Sequence, residues 1–378
     1  MKSERVAAIV GVAESDLGEV PGKSVLQLQA QAAKRALDDA GFTKDDVDAL
    51  FTTASWAHFP QLMLAEYLGI QPRYSGGTNI GGSSFESHVA HAMAAIQAGL
   101  IDVALITYGS TNRSNRNAPG QAQLTLKYEE PFGFPSPVGH YAMAAMRHMH
   151  QYGTTSEQLA EIAVATRKWA MLNEKAFMRK PLTVEDVLAS PMISEPLHLL
   201  DCCLVTDGGG AVVVASAKAA ARAKKPPVWI LGHGEMTTHN SVTHMPDLTV
   251  TGAKESGRRA MEMAGITHDE IDVVQVYDSF TITVLLTLEA LGFCKPGEGG
   301  DFVCGQRTAP GGAFPLNTSG GGLSYCHPGM FGIFLLIEAA RQLRGECGER
   351  QVKDAKISLV NGTGGTLSST STLILGRD

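Results

Sequence analysis

Two stretches of the chain repeat one pattern of apolar and polar positions. The run AAKRALDDAGFTKDDVDAL at 32–50 and the run ESGRRAMEMAGITHDEIDVV at 255–274 both read as an amphipathic helix, Ala-Gly, an apolar residue, Thr, a short polar run and an apolar strand. Gly41 and Gly265 correspond, 224 residues apart. Glycine at this place is typical of a helix C-cap, and the Thr that follows predicts the start of a short helical turn.

The repeat continues beyond the first strand. In each copy a turn rich in Gly and Ser opens into a second helix, at 81–99 and at 319–345, and that helix leads to an apolar strand. Strands that alternate with helices predict parallel or mixed sheets covered on both faces. We therefore expect an α/β protein of two duplicated halves about a pseudo-twofold axis, one over 1–225 and the other over 226–378.

A long stretch at about 112–200 has no counterpart in the second half. It is Pro-rich at first and then helical, as in SEQLAEIAVATRKWAMLNEKAF. We expect it to be an insertion that lies over the first half as a lid and shapes a substrate pocket. A purely structural cap or a dimer element is the alternative.

Composition narrows the class of protein. The 378 residues include 44% hydrophobic and 18% charged residues, which is typical of a globular protein. The net charge of −7 and the lack of a basic stripe argue against nucleic-acid binding. The six cysteines show no metal-ligand spacing, so we expect free thiols and no metal site. Neither a signal peptide nor an apolar run of about 18 residues is found, so we expect a cytoplasmic protein without a membrane span.

Three segments are expected to meet if the pseudo-symmetry holds. They are the turn at 79–87, QVYDSFT at 275–281 and NTSGGGLSYCHPGMFG at 317–332. Each lies at a strand end or a helix start, where open α/β sheets place their sites. The N–H groups at a helix start favour developing negative charge, but the Gly-Gly-Ser-Ser turn itself contains no cysteine, lysine or carboxylate.

These segments resemble the thiolase superfamily. NTSGGGLSYCHPG is similar to its Asn-x-Ser-Gly-Gly…Gly-His-Pro block, and VYDSFTITVLLTLEALGF at 276–293 is similar to the His-Asp-x-Phe segment of its sterol-carrier-protein-type members. LLDCCLVTDGGGAVVV at 199–214 resembles the strand that closes the first half. With the helix at 83–99, the resemblance covers essentially the whole chain in order. It implies a five-layered α/β/α/β/α fold of two duplicated halves.

The chain departs from the thiolase pattern at the nucleophile. The cysteine at the start of the first-half helix would fall on Gly82, or on Ser83 with a slip of one residue. Glycine cannot form a thioester, and a serine hydroxyl is a weak nucleophile without an adjacent base. Asn361 stands where the second cysteine of biosynthetic thiolases is expected, and Tyr277 stands where the family usually has histidine.

The pattern looks like the lipid-transfer-type aldolases of steroid side-chain degradation, a branch that lacks the nucleophilic cysteine. This resemblance implies acid and base roles for Tyr277 and Tyr325. His327 would lower a tyrosine pKa or donate to an enolate oxygen. The alternatives are a core role for Tyr277, bonded to a backbone carbonyl, and a capping role for His327 before Pro328.

Five further residues complete the predicted site. Gly82 and Ser83 would form the oxyanion-binding turn, and Asp278, Asn317 and Gly364 would support it. We expect Asp278 to orient backbone or to cap a helix rather than to titrate.

A site without a nucleophile but with oxyanion donors can still break a carbon–carbon bond beside a thioester. The leading hypothesis is therefore retro-aldol cleavage of a β-hydroxyacyl-CoA, with coenzyme A as part of the substrate and no bound cofactor. The resemblance also implies a homodimer and a zinc-ribbon/OB-fold accessory subunit. The alternatives are a thiolase-type acyltransferase and a non-catalytic acyl-CoA or lipid-binding or scaffold subunit.

Overall fold

The structure is a computed structural model that describes residues 5–54, 57–115, 129–133 and 137–378. The strands are β1 (Ala7–Glu14), β2 (Ala49–Phe51), β3 (Tyr74–Gly76), β4 (Val103–Ser110), β5 (Met192–Ser194), β6 (Leu197–His198), β7 (Gly208–Ser216), β8 (Val228–Thr237), β9 (Val273–Val276), β10 (Ile357–Gly364) and β11 (Ser369–Gly376). The helices are α1 (Val25–Ala40), α2 (Pro60–Leu68), α3 (Ser84–Gln97), α4 (Val138–Tyr152), α5 (Ser156–Met171), α6 (Val184–Ala189), α7 (Ala217–Ala220), α8 (Ala253–Ala264), α9 (Thr281–Leu291), α10 (Gly299–Val303) and α11 (Gly332–Arg344).

Nine strands form one continuous array that joins two matching halves. Its order is β3-β2-β4-β7-β1-β8-β11-β10-β9. The first half contributes β2-β4-β7-β1 and the second contributes β9-β10-β11-β8, so corresponding strands take the same order. A short antiparallel pairing of β1 with β8, at Ala8–Trp229 and Ile9–Val228, links the halves. The predicted duplication is confirmed.

The helices complete five layers. Helices α3 and α11 contact each other, and both also contact strands of both halves, so they form the central layer. Helix α1 covers the outer face of the first sheet and α8 covers that of the second. The core of the central layer is apolar, with fully buried Phe85 on α3 and Phe334 on α11. The five-layered arrangement implied by the resemblance is therefore confirmed.

The repeated helix ends fold as their sequence predicts. Gly41 ends α1 at φ +75° and Gly265 ends α8 at φ +69°, in the left-handed region that favours glycine. The Thr43 N–H then donates to the Asp46 carboxylate at 2.8 Å and starts a single 3-10 turn. Thr267 makes the same bond to Glu270 in the second half, also at 2.8 Å.

The insertion packs on the second half, and the expectation that it lies over the first half is wrong. Leu159 and Ile162 of α5 and Tyr141 of α4 share a buried core with α9. The apolar face of α9 is wider than its own half can cover, since almost every residue of that helix is buried. Part of the insertion, at 116–128 and 134–136, lies outside the described residues. Within the described ranges, no helix is long and apolar enough to cross a bilayer.

Candidate active site

The end of β9 carries Tyr277 into the middle of the molecule. The Tyr277 N–H donates to the carbonyl oxygen of Asn361 on β10 at 3.0 Å, which continues the parallel ladder of these two strands. Asn317 stands in the left-handed region at φ +50°, and its Oδ1 accepts from the Val276 N–H at 2.8 Å. Asn317 therefore joins the segment that contains His327 to the end of β9.

Tyr277 and His327 meet side chain to side chain. The Tyr277 hydroxyl lies 2.9 Å from His327 Nε2, and the two rings are nearly perpendicular at 86°. The Phe331 N–H, just before α11, donates to the same hydroxyl oxygen at 3.1 Å. Phe331 also stacks on the imidazole, with ring centroids 6.3 Å apart. Two residues predicted from different motifs are thus brought together.

The proton between these two side chains belongs to the Tyr277 hydroxyl, which donates it to His327. The Tyr277 oxygen already accepts from Phe331, and its own hydrogen needs an acceptor. His327 Nε2 supplies that acceptor, which places the imidazole hydrogen on Nδ1. Burial lowers the pKa of His327 to about 4, so the imidazole is neutral at pH 7. Burial and the nearby groups of Cys203, Tyr141 and Tyr108 raise the pKa of the Tyr277 phenol well above its usual value.

The phenol ring of Tyr277 fills the space beside Gly82. A Cβ atom at position 82 would lie 2.1 Å from Tyr277 Cε2 and 2.6 Å from the Thr363 carbonyl oxygen. No side chain fits at this position without displacing the ring. Gly82 and Tyr277 are therefore a matched pair, because the ring occupies the space that a side chain at position 82 would need.

Ser83, the other predicted position for the nucleophile, is fully buried and bonded. Its hydroxyl donates to the Ile80 carbonyl at 3.1 Å and lies 2.8 Å from the Ser369 hydroxyl. Gly364 allows the 80–81 turn to pass close to β10, because a Cβ at 364 would overlap the Ile80 carbonyl oxygen. The turn is thus held by backbone packing, and the Ser83 hydroxyl faces neither Tyr277 nor His327.

Asp278 holds the glycine-rich segment. Its Oδ1 accepts from the Gly322 N–H at 2.6 Å and its Oδ2 accepts from the Leu323 N–H at 3.1 Å. These amides belong to a single π-helical turn over Gly321–Tyr325. Burial raises the pKa of Asp278 to about 7 although both hydrogen bonds favour the anion. Asp278 caps this turn, but with a pKa of about 7 it titrates near neutral pH, which the sequence analysis did not expect. It does not hydrogen-bond to the Tyr277 hydroxyl, which contacts His327 and the Phe331 N–H.

Tyr325 points away from Tyr277. Its hydroxyl donates to Glu14 Oε1 at 2.8 Å, and Glu14 also pairs with Arg341 and Lys175. Burial and the negative charge of Glu14 raise the pKa of the Tyr325 phenol well above its usual value. The structure therefore places the two predicted tyrosines in neighbouring clusters that are not hydrogen-bonded to each other.

Three residues near the site were missed by the sequence analysis. Phe331 supplies the backbone donor to Tyr277, and the thiol of Cys203 raises the pKa of that phenol. Glu86, one turn after Gly82 on α3, is fully buried. A signal for Glu86 was present, since a carboxylate among small and apolar residues on the Gly82 face of a helix is unusual. Cys203 and Phe331 carry no such signal.

Comparisons with known proteins fit this geometry. Residues 234–377 match the family model "Thiolase C-terminal domain-like". The chain is 37% identical to a 17-hydroxy-3-oxo-4-pregnene-20-carboxyl-CoA lyase of Mycobacterium tuberculosis, over 98% of this chain and 99% of the relative. It is 36% identical to a steroid side-chain-cleaving aldolase of Thermomonospora curvata, over 98% of each chain.

The fold has matching solved structures. The Ltp2-ChsH2(DUF35) aldolase superposes with a TM-score of 0.91 at 34% identity, covering 99% of this chain and 98% of that one. Human mitochondrial 3-ketoacyl-CoA thiolase superposes with a TM-score of 0.73 at 15% identity over 99% of each chain, which supports the fold alone. The chain belongs to the thiolase superfamily, within the branch that contains the steroid side-chain-cleaving aldolases.

Proposed function

We propose that this protein is a lyase that cleaves β-hydroxyacyl-CoA thioesters by a retro-aldol reaction without a covalent acyl-enzyme. One observation carries the proposal. The Tyr277 phenol fills the space beside Gly82, where the thiolase resemblance would put the nucleophilic cysteine, and that phenol is hydrogen-bonded to the His327 imidazole. The site thus has a proton acceptor where a thiolase has an acyl acceptor.

The base step needs no resting phenolate. A phenol oxygen can accept two hydrogen bonds, and Phe331 occupies one of these positions. The β-hydroxyl of the substrate takes the other and passes its proton to Tyr277, while Tyr277 passes its own proton to His327 Nε2. The Cα–Cβ bond then breaks, the β-carbon becomes a carbonyl carbon, and the electron pair forms the thioester enolate.

The negative charge that develops in this step must be stabilised by hydrogen-bond donors. The Phe331 N–H stabilises the negative charge that develops on the Tyr277 oxygen while the protons move, and we assign the enolate oxygen to the N–H groups of Gly82 and Ser83. Each such donor contributes about 3 to 4 kcal/mol to the transition state in comparable sites. Tyr277 ends the relay as a neutral phenol, so the imidazolium on His327 is balanced by the enolate, and this attraction offsets the burial that keeps His327 neutral at rest.

The acid step is assigned to Tyr325. Its raised pKa keeps the phenol protonated, and its hydroxyl is bonded to a carboxylate rather than to an imidazole that could take its proton, so we assign it the acid role. The phenolate left after it protonates the enolate carbon regains a proton from solvent, and His327 releases its proton to solvent, which restores the resting site. Its hydroxyl donates to Glu14 in the structure, and the role requires it to exchange that acceptor for the substrate. In Tyr325→Phe we expect single-turnover release of the ketone to persist while protonation of the acyl-CoA product slows. Equal slowing of both would contradict an acid role.

The proposed substrate is a CoA thioester with a β-hydroxyl on a bulky ring system such as a steroid. Support comes from the two relatives above, whose names describe a steroid-type CoA lyase and a steroid side-chain-cleaving aldolase. We also propose that the protein forms a homodimer. We further propose an accessory subunit of the zinc-ribbon/OB-fold type, and the DUF35 partner named in the similar solved complex supports this second proposal.

Tyr277→Phe tests the function. The variant keeps the ring beside Gly82 but loses both hydrogen bonds of the hydroxyl, and we expect kcat to fall at least 100-fold because base catalysis contributes roughly that much. Tyr67→Phe, half exposed on α2, is the control and should not change kcat. Release of ketone and shortened acyl-CoA is measured with and without the accessory subunit. A Tyr277→Phe variant as active as wild type would end the proposal.

A second candidate is a thiolase-type acyltransferase. It is favoured by an acetyl-CoA acetyltransferase of Methanothermobacter thermautotrophicus, 33% identical over 99% of this chain and 100% of the relative. Mass spectrometry of the protein mixed with acyl-CoA separates the two functions. The lyase leaves the protein mass unchanged, and the acyltransferase gives an acyl adduct.

A further inference from the structure

The side chain of Glu86 lies at the contact of α3 with α11. When the two helices are aligned by their ends at Gly99 and Gly345, Glu86 corresponds to Gly332. A Cβ at Gly332 would lie 2.6 and 2.8 Å from the two carboxyl oxygens, and one at Gly362 would lie 2.3 Å from Oε2. Two glycines, one from α11 and one from β10, therefore make the space for this carboxyl group.

Among the residues that the structure describes, none other hydrogen-bonds to either oxygen of the Glu86 carboxyl group, and the side chain has no exposed surface. Gly332, Gly362 and the backbone of Ser83 surround it, and none of them titrates. Titratable groups on the elements that pack against α3, and on α3 itself, are His88, His91, Tyr108, His233, Glu235, Glu338, Arg341 and Arg344. None of them shifts the pKa of Glu86, which burial raises to about 8.

The position of Glu86 links it to the proposed base. Its carboxyl group contacts Gly332, the first residue of α11, and the amide of the preceding Phe331 donates to Tyr277. A carboxylate beside the start of a helix attracts the unpaired N–H groups there. Ionised Glu86 would therefore compete with the Tyr277 oxygen for the Phe331 N–H, and its charge would oppose negative charge on Tyr277.

We propose that Glu86 is a positioning residue that works as an uncharged carboxylic acid and leaves the Phe331 N–H to the Tyr277 oxygen. When Glu86 loses its proton, the negative charge on its carboxylate inactivates the site. The inference rests on the proposed role of Tyr277, so its test includes two measurements that need no substrate.

The first measurement is the infrared difference spectrum of wild type minus Glu86→Gln. We expect a protonated-carboxyl band at pH 7 that disappears as the pH rises through about 8. Glu338→Gln is the matched control, because Glu338 is equally buried but accepts from Arg350 and should show only carboxylate bands. A carboxylate signal from Glu86 at pH 7 would overturn the inference.

The second measurement is the ultraviolet titration of Tyr277, isolated by subtracting the spectrum of Tyr277→Phe. Above pH 8 the wild type carries a charged Glu86, whereas Glu86→Gln stays neutral. The midpoint for Tyr277 should therefore be about one pH unit lower in the Glu86→Gln background. Equal midpoints in the two backgrounds would show that Glu86 does not act on Tyr277.

Turnover gives the third measurement. The ratio of kcat at pH 9 to kcat at pH 7 should be about tenfold higher in Glu86→Gln than in wild type, since about one pH unit separates pH 9 from the wild-type transition. The same ratio in both proteins would contradict the inference. If wild type cleaves no substrate, the proposed function fails, and the infrared and ultraviolet results still decide the role of Glu86.

Discussion

At the scale of single residues, the site depends on the fit of the large Tyr277 ring beside Gly82, which has no side chain. The thiolase resemblance puts histidine at position 277 and the nucleophilic cysteine at position 82. In this chain the aromatic ring reaches the helix start, and only glycine leaves room for it there. The two positions, 195 apart in sequence, must change together.

The first prediction follows from this fit between Gly82 and the Tyr277 ring. Gly82→Cys should not restore an acyl-enzyme, because its Cβ would overlap the Tyr277 ring and displace the hydroxyl from His327. We expect lyase turnover to fall at least 100-fold and mass spectrometry to find no acyl adduct. The double variant Gly82→Cys/Tyr277→Ala, in which the ring is absent, is the control for a reachable thiol. An adduct on the single variant would contradict the matched pair.

A second prediction concerns acid pH. The folded-state pKa of His327 is about 4, against 6.5 in an unfolded chain. Nε2 therefore remains free to accept the Tyr277 proton at pH 5. Because the pKa of Asp278 is about 7, the profile is measured in Asp278→Asn, where that group cannot titrate, and kcat/KM should be flat from pH 7 to about 5 and fall only below that. Between pH 6.5 and 4 the unfolded chain binds a proton that the folded protein does not bind. The free energy of unfolding should decrease as the pH falls through that window. A kinetic limb near pH 6.5 would contradict a buried His327.

At the scale of secondary-structure elements, the π-helical turn over Gly321–Tyr325 places His327. This turn makes few bonds of its own, and the Asp278 carboxylate accepts two of its amides. The Gly321 φ of +57° and the 2.0 Å between its would-be Cβ and Asp278 Oδ2 require glycine there. The geometry of the dyad thus depends on a capping interaction behind it.

The third prediction tests this capping. Asp278→Asn replaces one acceptor oxygen by an NH2 group that faces the Leu323 N–H, which leaves a buried donor unsatisfied and should cost about 1 to 3 kcal/mol of unfolding free energy. Because the turn also positions His327, kcat should fall as well. Asp272→Asn is the control, since Asp272 accepts from two amides at the far end of β10. It should reduce stability without changing kcat, and an equal loss of kcat in the control would contradict the argument.

Prediction from sequence succeeds for elements whose structure is set locally. The Gly41 and Gly265 caps and the thiolase-like order of elements depend on neighbouring residues, so their pattern is visible in the sequence. The packing of the insertion was missed because helices α4 and α5 have apolar faces that do not specify which half they will contact. The pairing of Tyr325 with Glu14 was missed because it joins residues 311 positions apart.

At the scale of the whole molecule, Glu14 joins the two halves and the insertion. It ends β1 of the first half, its carboxylate accepts from Arg341 on α11 of the second half, and Lys175 of the insertion donates to it at 3.0 Å. With two bonds from Arg341 and one from Lys175, the Tyr325 hydroxyl adds a fourth hydrogen bond to this carboxylate. Burial alone would raise the pKa of Glu14, but the charges of Arg341 and Lys175 and these hydrogen bonds hold it well below the usual range.

The fourth prediction is that Glu14→Gln weakens the whole fold. The change leaves the largely buried Arg341 without its counter-charge, which should cost roughly 3 to 5 kcal/mol of unfolding free energy at pH 7 by urea denaturation. Because the folded pKa of Glu14 is lowered, its contribution is present above the unfolded value of 4.5 and is lost as the pH falls below it. The gap between wild type and variant should therefore narrow in acid. Glu255→Gln, which breaks exposed pairs with Arg258 and Arg259, should change little. If both variants lost the same stability, Glu14 would not join the halves, which would then be held by the β1–β8 pairing and the apolar packing of α3 on α11.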